Sequence, residues 1–461
     1  MKMKTMLVLL VVLCLSSVAR ADVFTVNSTD DNPDASLGSG GCKDANGKCT
    51  LRAAIEEANT HYDYGADKDF IVLPSGQYVL NGFIEIKPGK LKIFGTGIDV
   101  PQINGQNSVN IFVINKKAIA EINNIWITGG KVQGPGAAVN NSGQLTLKNV
   151  TIEDSEGTIG GGISNYSEAK LVISDSVIKD NEASDEGGGI YNHLNAMLIV
   201  TNTEITGNKA KKDGGGISNH GDMELEGIEI SGNTADGNGG GLFNVTDKDI
   251  SLYKSTITNN VSSGEGGGIY NTGVMDVMNC TISGNKALTY GGGVYATGKK
   301  GLMLAYVTIA DNDAGSSGGG IQSTGIAGAD EAVSMSNTIL AGNRFGGKKD
   351  ANGADCSGRI KSFGYNILGN GSNCQINAVN SDQVGTSKAL LDPMITSLGD
   401  YGGSTDTHDL LPGSPAFDKG MCIVNADQRD VKRPKGKTCD IGAVEHEDNA
   451  NYDRAKATKP K

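Results

Sequence analysis

Beyond its first 21 residues, the sequence has no apolar run approaching the roughly 20 residues that a membrane-spanning helix requires. Its one long apolar run, Met6 to Leu15, follows two lysines and precedes Ala19-Arg20-Ala21. This order predicts a secretory signal peptide over residues 1–21, so that the mature chain begins at Asp22. We therefore expect an exported protein without a transmembrane segment, located outside the cell or at its surface, with the periplasm as an alternative.

Positive charge is also scarce. The chain has 40 lysines and arginines against 52 aspartates and glutamates, a formal net charge of −12. Loss of the leader removes three cations and no acid, which takes the charge from −12 to −15. Because an acidic surface repels phosphate backbones and anionic lipids, we expect no nucleic-acid partner. Extracellular polysaccharide and cell-envelope components remain the expected partners.

Cysteine is almost missing from the centre of the mature chain. Six of its seven cysteines lie toward the two ends in close pairs, Cys42 with Cys49, Cys356 with Cys374, and Cys422 with Cys439. Local disulfides in an oxidising compartment are the simplest interpretation, and the sequence alone leaves their connectivity open. The seventh, Cys280, takes a position that valine fills in other repeats, and we interpret it as a buried free thiol.

Helical periodicity is absent between Gly134 and Asn343, and a repeat is present instead. Triple glycines followed by an apolar residue begin at Gly160, Gly187, Gly214, Gly239, Gly266, Gly291 and Gly318. Asparagines that stand three residues after an isoleucine recur at Asn181, Asn208, Asn233, Asn260, Asn285 and Asn312. Both landmarks give repeat units of 25 or 27 residues.

Within each unit, apolar and polar residues alternate over short runs broken by glycine and asparagine, which is the period of β-strands. A propeller blade needs about 40 residues and a leucine-rich repeat needs its leucine signature, and neither is present. The repeat therefore predicts an all-β, right-handed parallel β-helix with coils about 4.8 Å apart. We expect two interior aliphatic rows, Ile163 to Ile321 and Ile178 to Ile309, and asparagines that pass hydrogen bonds from coil to coil.

The segment before the repeat contains the one convincing helical pattern of the mature chain. It lies in Cys49-Thr-Leu-Arg-Ala-Ala54 and the following Ile-Glu-Glu-Ala-Asn59, and Pro74-x-Gly76-x-Tyr78 comes after it. These stretches resemble the CSLREA domain. The resemblance implies an N-terminal cap, to which we assign residues 22–95.

The segment after the repeat carries Ser362-Phe-Gly-Tyr-Asn-Ile-Leu368, Pro412-Gly-Ser-Pro-Ala-Phe-Asp418 and Cys439-Asp-Ile-Gly-Ala-Val-Glu445. These motifs resemble the choice-of-anchor Q domain, which ends surface β-helix proteins of bacteria. The resemblance implies a C-terminal cap over residues 346–446 and a pectin-lyase-like fold for the repeats over residues 96–345. Residues 447–461 are expected to form a polar tail.

Candidate metal ligands occur at matched positions of neighbouring units. Glu186 and Asp213 each precede a triple glycine and would lie one coil apart, where they could hold Ca²⁺. His193 and His220 are 27 residues apart and could bind a transition metal. Solvated acids beside turns and incidental surface histidines are the commoner explanations, so we expect no cofactor and retain Ca²⁺ as the candidate.

Aromatic residues recur next to one interior row, at Tyr191, Phe243, Tyr270 and Tyr295, with Ser218 in the remaining unit. Because neighbours on a strand alternate between its two sides, these residues are expected to point outward. The resulting stripe is either a ligand surface that stacks against sugar rings or a shield whose rings stack on one another.

The sequence shows no catalytic constellation, and the two families it resembles share no catalytic motif. It favours a secreted or cell-surface β-helix protein with a structural, adhesive or carbohydrate-recognition role. The alternative is an enzyme of pectin-lyase-like shape, a polysaccharide lyase or a glycoside hydrolase, which would need acids clustered on one face of the coils.

Overall fold

The computed structural model describes residues 21–61, 68–298, 301–325, 332–379 and 381–446. The predicted signal peptide, apart from Ala21, and the predicted polar tail lie outside these ranges. Within them the chain forms one α-helix, Leu51–Ala58, and a right-handed parallel β-helix, which confirms the predicted fold class. No helix among the described residues is long and apolar enough to span a membrane.

Each coil contributes three main strands, and strands in the same position of adjacent coils pair in parallel. The first row of strands comprises Ile84–Ile86, Phe112–Ile114, Val139–Asn141, Ile163–Asn165, Ile190–Asn192, Ile217–Asn219, Leu242–Asn244, Ile269–Asn271, Val294–Gly298 and Ile321–Gly325. From Ile163 onward each of these strands directly follows a triple glycine. The second row comprises Val23–Thr25, Asp69–Pro74, Gly89–Thr96, Lys170–Ser174, Met197–Thr201, Asp222–Glu226, Asp249–Tyr253, Val333–Ser336 and Cys374–Ile376. Cys356–Ser362 pairs with strands of both rows.

The third row comprises Gln77–Val79, Gln102–Asn104, Val177–Lys179, Glu204–Thr206, Glu229–Ser231, Thr256–Thr258, Ile339–Ala341, Ile367–Leu368 and Gln383–Val384. Four long strands run through the second and third rows, Ala118–Thr128, Gln144–Glu153, Val274–Ser283 and Leu302–Ala310. Two-residue strands form a separate small sheet at one corner, Glu156–Gly157, Glu182–Ala183, Lys209–Ala210, Thr234–Ala235, Val261–Ser262, Lys286–Ala287, Asp313–Ala314 and Arg344–Phe345. Parallel pairing therefore extends beyond residues 96–345 in both directions.

The two predicted aliphatic rows form the core. Ile163, Ile190 and Ile217 occupy one paired register and Ile178, Ile205 and Ile230 another, and all six are fully buried. Burying a side chain of this size stabilises the fold by about 1.5–3 kcal/mol. Since each coil repeats the same interior positions, one continuous core runs along the axis.

Asparagine side chains link the coils, as the sequence predicted. From Asn181 to Asn343, each side-chain amide donates to the Oδ1 atom of the equivalent residue one coil further on, at 2.9 to 3.0 Å. A second ladder, absent from the sequence-based prediction, runs from Asn141 to Asn271 at 2.7 to 2.8 Å. Both ladders are buried, so they satisfy polar groups at corners where the sheets end.

The triple glycines allow adjacent coils to approach closely. A Cβ atom on Gly240 would lie 2.5 Å from the backbone oxygens of Gly267 and Val261. The preceding Gly239 has a φ of +65°, in the left-handed region that side chains disfavour. These two requirements explain why the Gly-Gly-Gly sequence recurs in every central coil.

The α-helix lies at the N-terminal end of the core, where it packs Leu51, Ala54 and Ile55 against the first coils. Thr50 caps it by accepting a hydrogen bond from the backbone N–H of Ala53. The predicted disulfide between Cys42 and Cys49 closes the loop before it. Arg52 of the helix forms an ion pair of 2.8 Å with Asp31 of the preceding segment.

The other two disulfides also join the predicted pairs, Cys356 with Cys374 at the last coils and Cys422 with Cys439 in the C-terminal segment. Cys280 is free and fully buried, as the sequence predicted, and burial raises the pKa of its thiol to about 12.

Residues 401–446, here called the C-terminal strap, turn back along the third row of strands. Thr407 hydrogen-bonds Thr281 at 2.8 Å, His408 hydrogen-bonds Ser283 at 2.9 Å, and Gln428 accepts a hydrogen bond from Thr281 at 2.8 Å. The strap therefore covers the outer side of the coils from Thr256 onward, and Thr256, Thr281 and Thr308 are buried beneath it.

Candidate functional site

The outward residues of the first strand row form the predicted aromatic series. The residue after each interior residue of this row lies on the outer side of the strand. These outward residues are Tyr191, Ser218, Phe243, Tyr270 and Tyr295. The parallel register places these residues one above another along the axis. The repeat thus predicted their alignment correctly.

The rings form a ladder that includes both histidines. Tyr166 stacks on His193 at a centroid distance of 4.5 Å, and His193 and Tyr191 make a T-shaped contact at a centroid distance of 4.5 Å. His220 lies 5.0 Å from Tyr191 and 6.2 Å from Phe243. Its ring fills the space above Ser218, whose small side chain leaves room for it.

At the far end, Phe243, Tyr270 and Tyr295 stack at 5.0 and 5.2 Å, with ring planes only 20° and 8° apart. Their faces are turned toward one another along the axis, and Tyr270 and Tyr295 are partly exposed. The ring stacking fits the shield alternative, and sugar binding by the stripe stays a prediction. Phe243 is only 8% exposed and Ser218 is fully buried. Neighbouring rings, which include His220, cover them.

Burial and nearby acids shift the titration of the tyrosines. Burial, followed by the charges of Glu186 and Asp185, raises the pKa of Tyr191 to about 12. Burial, followed by the charge of Glu265, raises the pKa of Tyr270 to about 12. Both hydroxyls therefore keep their protons at neutral pH and act as hydrogen-bond donors as well as acceptors.

A row of acids and polar residues flanks the rings, at the position before each triple glycine. The backbone N–H groups of Gly187 and Gly239 donate to the carbonyls of Asp213 and Glu265 in the next coil, which holds this row in register. Burial raises the pKa of both Asp213 and Glu265. We call the combined surface, Tyr166, Glu186, Tyr191, His193, Asp213, His220, Phe243, Glu265, Tyr270 and Tyr295, the aromatic–carboxyl strip.

The two candidate histidines bind different neighbours. His193 Nε2 lies 3.0 Å from the Ser164 hydroxyl, and burial, followed by the charge of His220, lowers its pKa to about 4. His220 Nε2 lies 2.9 Å from Glu186 Oε2. Each histidine thus has its own polar partner, and transition-metal binding by the two together stays a prediction.

Glu186 makes two polar contacts through one oxygen. Its Oε2 atom accepts from the Ser218 hydroxyl at 2.9 Å and lies equally close to His220 Nε2. Burial raises its pKa, but these hydrogen bonds outweigh burial and hold the pKa below its ordinary value. Ser218 and Glu186 both contact Nε2 of His220. In a catalytic triad the nucleophile and the orienting acid contact different nitrogens of the histidine, so this group does not have that arrangement.

Asp213 is held by the backbone. Its Oδ1 atom accepts from the N–H of Asn238 at 2.6 Å. Among the residues that the structure describes, the three-residue group whose ligand atoms lie within 4.8 Å of one another is Asp22, His61 and Asp69, at the N-terminal end. That group contains none of the predicted metal candidates, and Ca²⁺ binding by Glu186 and Asp213 stays a prediction.

A groove that the sequence did not predict runs along the second strand row. Its volume is about 390 Å³, and its lining includes Glu224, Glu226, Tyr253, Asp276 and Met278. Burial, followed by the charge of Asp249, raises the pKa of Asp276. The alternation of outward residues on these strands was the available signal, because Glu224 and Asp276 are outward positions of a single register.

The fold and these surfaces define the chain as a parallel β-helix protein with a stacked aromatic ladder. The model of the Chlamydia polymorphic membrane protein repeat matches residues 202–220, 254–272 and 279–297, which is well under half of the chain. Each matched segment runs from the third strand row of one coil to the triple glycine and aromatic position of the next. No curated protein matches the chain.

Among solved structures, the chain is similar to one described as the crystal structure of pectate lyase Pel9A. The two share 13% sequence identity over 93% of this chain and 97% of that one, with a TM-score of 0.48. A likeness this distant transfers neither a substrate nor a residue role to this chain.

Proposed function

We propose that this chain is an exported β-helix protein of the cell surface that binds an extended neutral glycan along the aromatic–carboxyl strip. The observation that carries the proposal is the continuity of the strip. Its rings and acids occupy the consecutive coils that begin at Gly160, Gly187, Gly214, Gly239, Gly266 and Gly291.

The chemistry of the strip suits sugars. The partly exposed rings of Tyr270 and Tyr295 carry aromatic carbon together with hydroxyls, and Glu186 and Glu265 add carboxylate oxygens beside the ring series. Sugar hydroxyls bond to such oxygens, and sugar C–H groups pack against aromatic carbon. Coils repeat about every 4.8 Å, which is close to the length of one pyranose unit in an extended chain.

Charge favours a neutral ligand over an acidic one. Glu186, Asp213 and Glu265 line the strip, and the mature chain carries an expected net charge of −15. A uronic-acid polymer would bring further negative charge to this surface and would be repelled unless cations screened it.

The proposed location rests on two supports. The predicted leader accounts for export, and the repeat model that matches three segments is named for a membrane protein family of Chlamydia. The N-terminal CSLREA-like and C-terminal choice-of-anchor Q-like resemblances agree with a surface role, and both assignments are part of this proposal.

The test measures retention on insoluble cellulose, xylan and mannan, and on polygalacturonate with and without Ca²⁺. We expect retention on a neutral polymer, weakened about 2- to 12-fold by Tyr270→Ala, since one aromatic contact contributes about 0.5–1.5 kcal/mol. Tyr253→Ala, which removes a ring outside the strip, is the matched control and should bind as the parent chain does.

Two results would count against the proposal. Retention that Tyr270→Ala and Glu265→Gln leave unchanged would place the binding surface elsewhere. Release of sugar products would support the enzyme alternative, for which the groove lined by Glu224 and Asp276 is the first place to substitute.

A further inference from the structure

Three potential ligand residues meet at the N-terminal end, away from the strip. Asp22, His61 and Asp69 each offer one ligand atom, and these atoms lie within 4.8 Å of one another. Asp22 and His61 are partly exposed, whereas Asp69 is only 5% exposed. Asp22 is 47 residues from Asp69 and His61 is eight residues from it, and the start of the second strand row brings the three together.

Asp69 fixes the positions of the other two residues. Its Oδ1 atom accepts a hydrogen bond from the backbone nitrogen of Asp22 at 2.9 Å. Its Oδ2 atom lies 2.8 Å from Nδ1 of His61. With Nδ1 bound to a carboxylate, the other ring nitrogen, Nε2, is the one available to an incoming ligand.

The Nε2 atom of His61 faces a second carboxylate. It lies 3.8 Å from Oδ2 of Asp22, which is too long for a hydrogen bond. Two ligand atoms each about 2.1 Å from one metal ion, at a tetrahedral or wider angle, lie about 3.4 Å or more apart. The observed separation therefore fits two ligands on either side of one ion.

The predicted leader ends at Ala21, so its removal converts the nitrogen of Asp22 from an amide into a primary amine. An amide nitrogen is a poor metal ligand. The α-ammonium releases one proton to solvent when it binds a metal ion, and the neutral amine then offers a free lone pair. This nitrogen already lies within the group, since it donates to Asp69, and an amine could keep that bond through one N–H.

We propose that leader removal creates a site for one divalent transition-metal ion at the mature N-terminus. The ligands are the α-amine and carboxylate of Asp22 and Nε2 of His61. Asp69 is a positioning residue that orients the imidazole and the amine, the role that carboxylates have behind metal-bound histidines. A set of two nitrogens and one carboxylate oxygen suits Zn²⁺, Cu²⁺ or Ni²⁺.

The test compares chains that differ only before residue 22. A fusion cleaved immediately before Asp22 gives the mature start, and a second chain retains Gly-Ser ahead of it. Titration with Zn²⁺ by calorimetry and with Cu²⁺ by electron paramagnetic resonance measures affinity and counts the nitrogen ligands. We expect one ion and two coordinated nitrogens in the mature chain, and at least tenfold weaker binding in the extended chain.

Three variants of the mature chain separate the roles. His61→Ala should abolish binding, and Asp69→Asn should weaken it about 10- to 100-fold. Asp236→Asn, which changes an exposed acid on the coils, should bind as the parent does. Melting curves with a chelator present establish that each variant is folded before it is titrated.

Equal affinity of the extended and mature chains would overturn the proposal, as would binding that His61→Ala leaves unchanged or no binding by the mature chain. The exported protein must also begin at Asp22. N-terminal sequencing that finds another first residue would overturn the proposal for the natural protein.

Discussion

The longer asparagine ladder ends on an acid. The side-chain amide and the backbone N–H of Asn343 both donate to Oδ1 of Asp355 at 2.9 Å, and Asn370 donates to its other oxygen. Each amide along the ladder donates to the next one, so the last amide needs another acceptor where the next coil has Gly371 at the equivalent position. Asp355 supplies that acceptor, and the ladder closes without an orphaned donor.

Removal of one amide from the middle of this ladder should be costly. Asn260 is fully buried, accepts from Asn233, and donates to Asn285 and to the carbonyl of Ile230. Asn260→Ala leaves these buried groups without partners, and we expect a loss of about 3 kcal/mol in the free energy of unfolding. Urea denaturation measures it, with Ser263→Ala on the exposed surface of the same coil as the control. A loss below about 1 kcal/mol would show that water replaces the amide.

Asp355 also predicts a dependence of stability on pH. Burial raises its pKa from 3.8 to about 7, against the opposing effect of the N–H groups of Asn343 and Asn370. The folded state then binds one more proton than the unfolded state between about pH 4 and pH 7. The stability that this group contributes is complete below that window and is lost as the pH rises through it, at about 1.4 kcal/mol per pH unit.

Asp355→Asn should remove this slope. The measurement is the difference in unfolding free energy between the parent and the variant, from urea curves at pH 4 to 8. Asp440, whose pKa burial also raises to about 7, keeps its own contribution in both chains and cancels in the difference. A difference that does not change with pH would contradict the expected titration.

At the scale of elements, the C-terminal strap depends on a buried ion pair. Arg433 and Glu445 lie 3.1 Å apart with both side chains fully buried, and the guanidinium stacks over the ring of Tyr306 at 4.5 Å. The arginine also donates to the carbonyls of Asp440 and Gly442. This cluster joins the strap to the long strand Leu302–Ala310.

Arg433→Met should loosen the strap without unwinding the coils. It leaves the Glu445 charge buried and uncompensated, which costs about 3–5 kcal/mol. Hydrogen exchange should accelerate over residues 401–446 and remain slow in the central coils. Lys254→Met removes the ion pair with the exposed Asp430 and should cost about 1 kcal/mol or less. Acceleration throughout the chain in Arg433→Met would mean that strap and coils unfold as one unit.

The elements differ in how far the sequence predicts them, because some contacts are periodic and others are not. The aliphatic rows, the longer asparagine ladder and the ring positions recur at fixed spacing, so the repeat alone places them. His220 enters the ring ladder because its coil has Ser218 where the neighbouring coils have Tyr191 and Phe243. The C-terminal strap is formed by a segment outside the repeat. A weak signal existed for the strap, since outward residues of the third row change from Glu204 and Glu229 to Thr256 and Thr281.

At the scale of the whole molecule, stacking of the coils makes an extended surface from the residues at one position of the repeat. Equivalent positions of successive coils lie above one another along the axis. A residue type that recurs at one position of the repeat therefore forms a straight row on the surface. The aromatic–carboxyl strip is such a row, and any ligand that follows it must itself be extended and repetitive.

The proposed function therefore predicts a dependence of affinity on ligand length. If one sugar unit contacts one coil, affinity should rise with each unit added until the strip from Tyr166 to Tyr295 is filled, and then level off. Calorimetry with a series of oligosaccharides from the retained polymer measures this, and about six units should reach the plateau at a coil spacing of about 4.8 Å. Tyr270→Ala should lower the plateau and leave the affinity of short oligomers at the other end unchanged. A plateau at one or two units would instead indicate a single local pocket, and the strip would then have no role as a continuous surface.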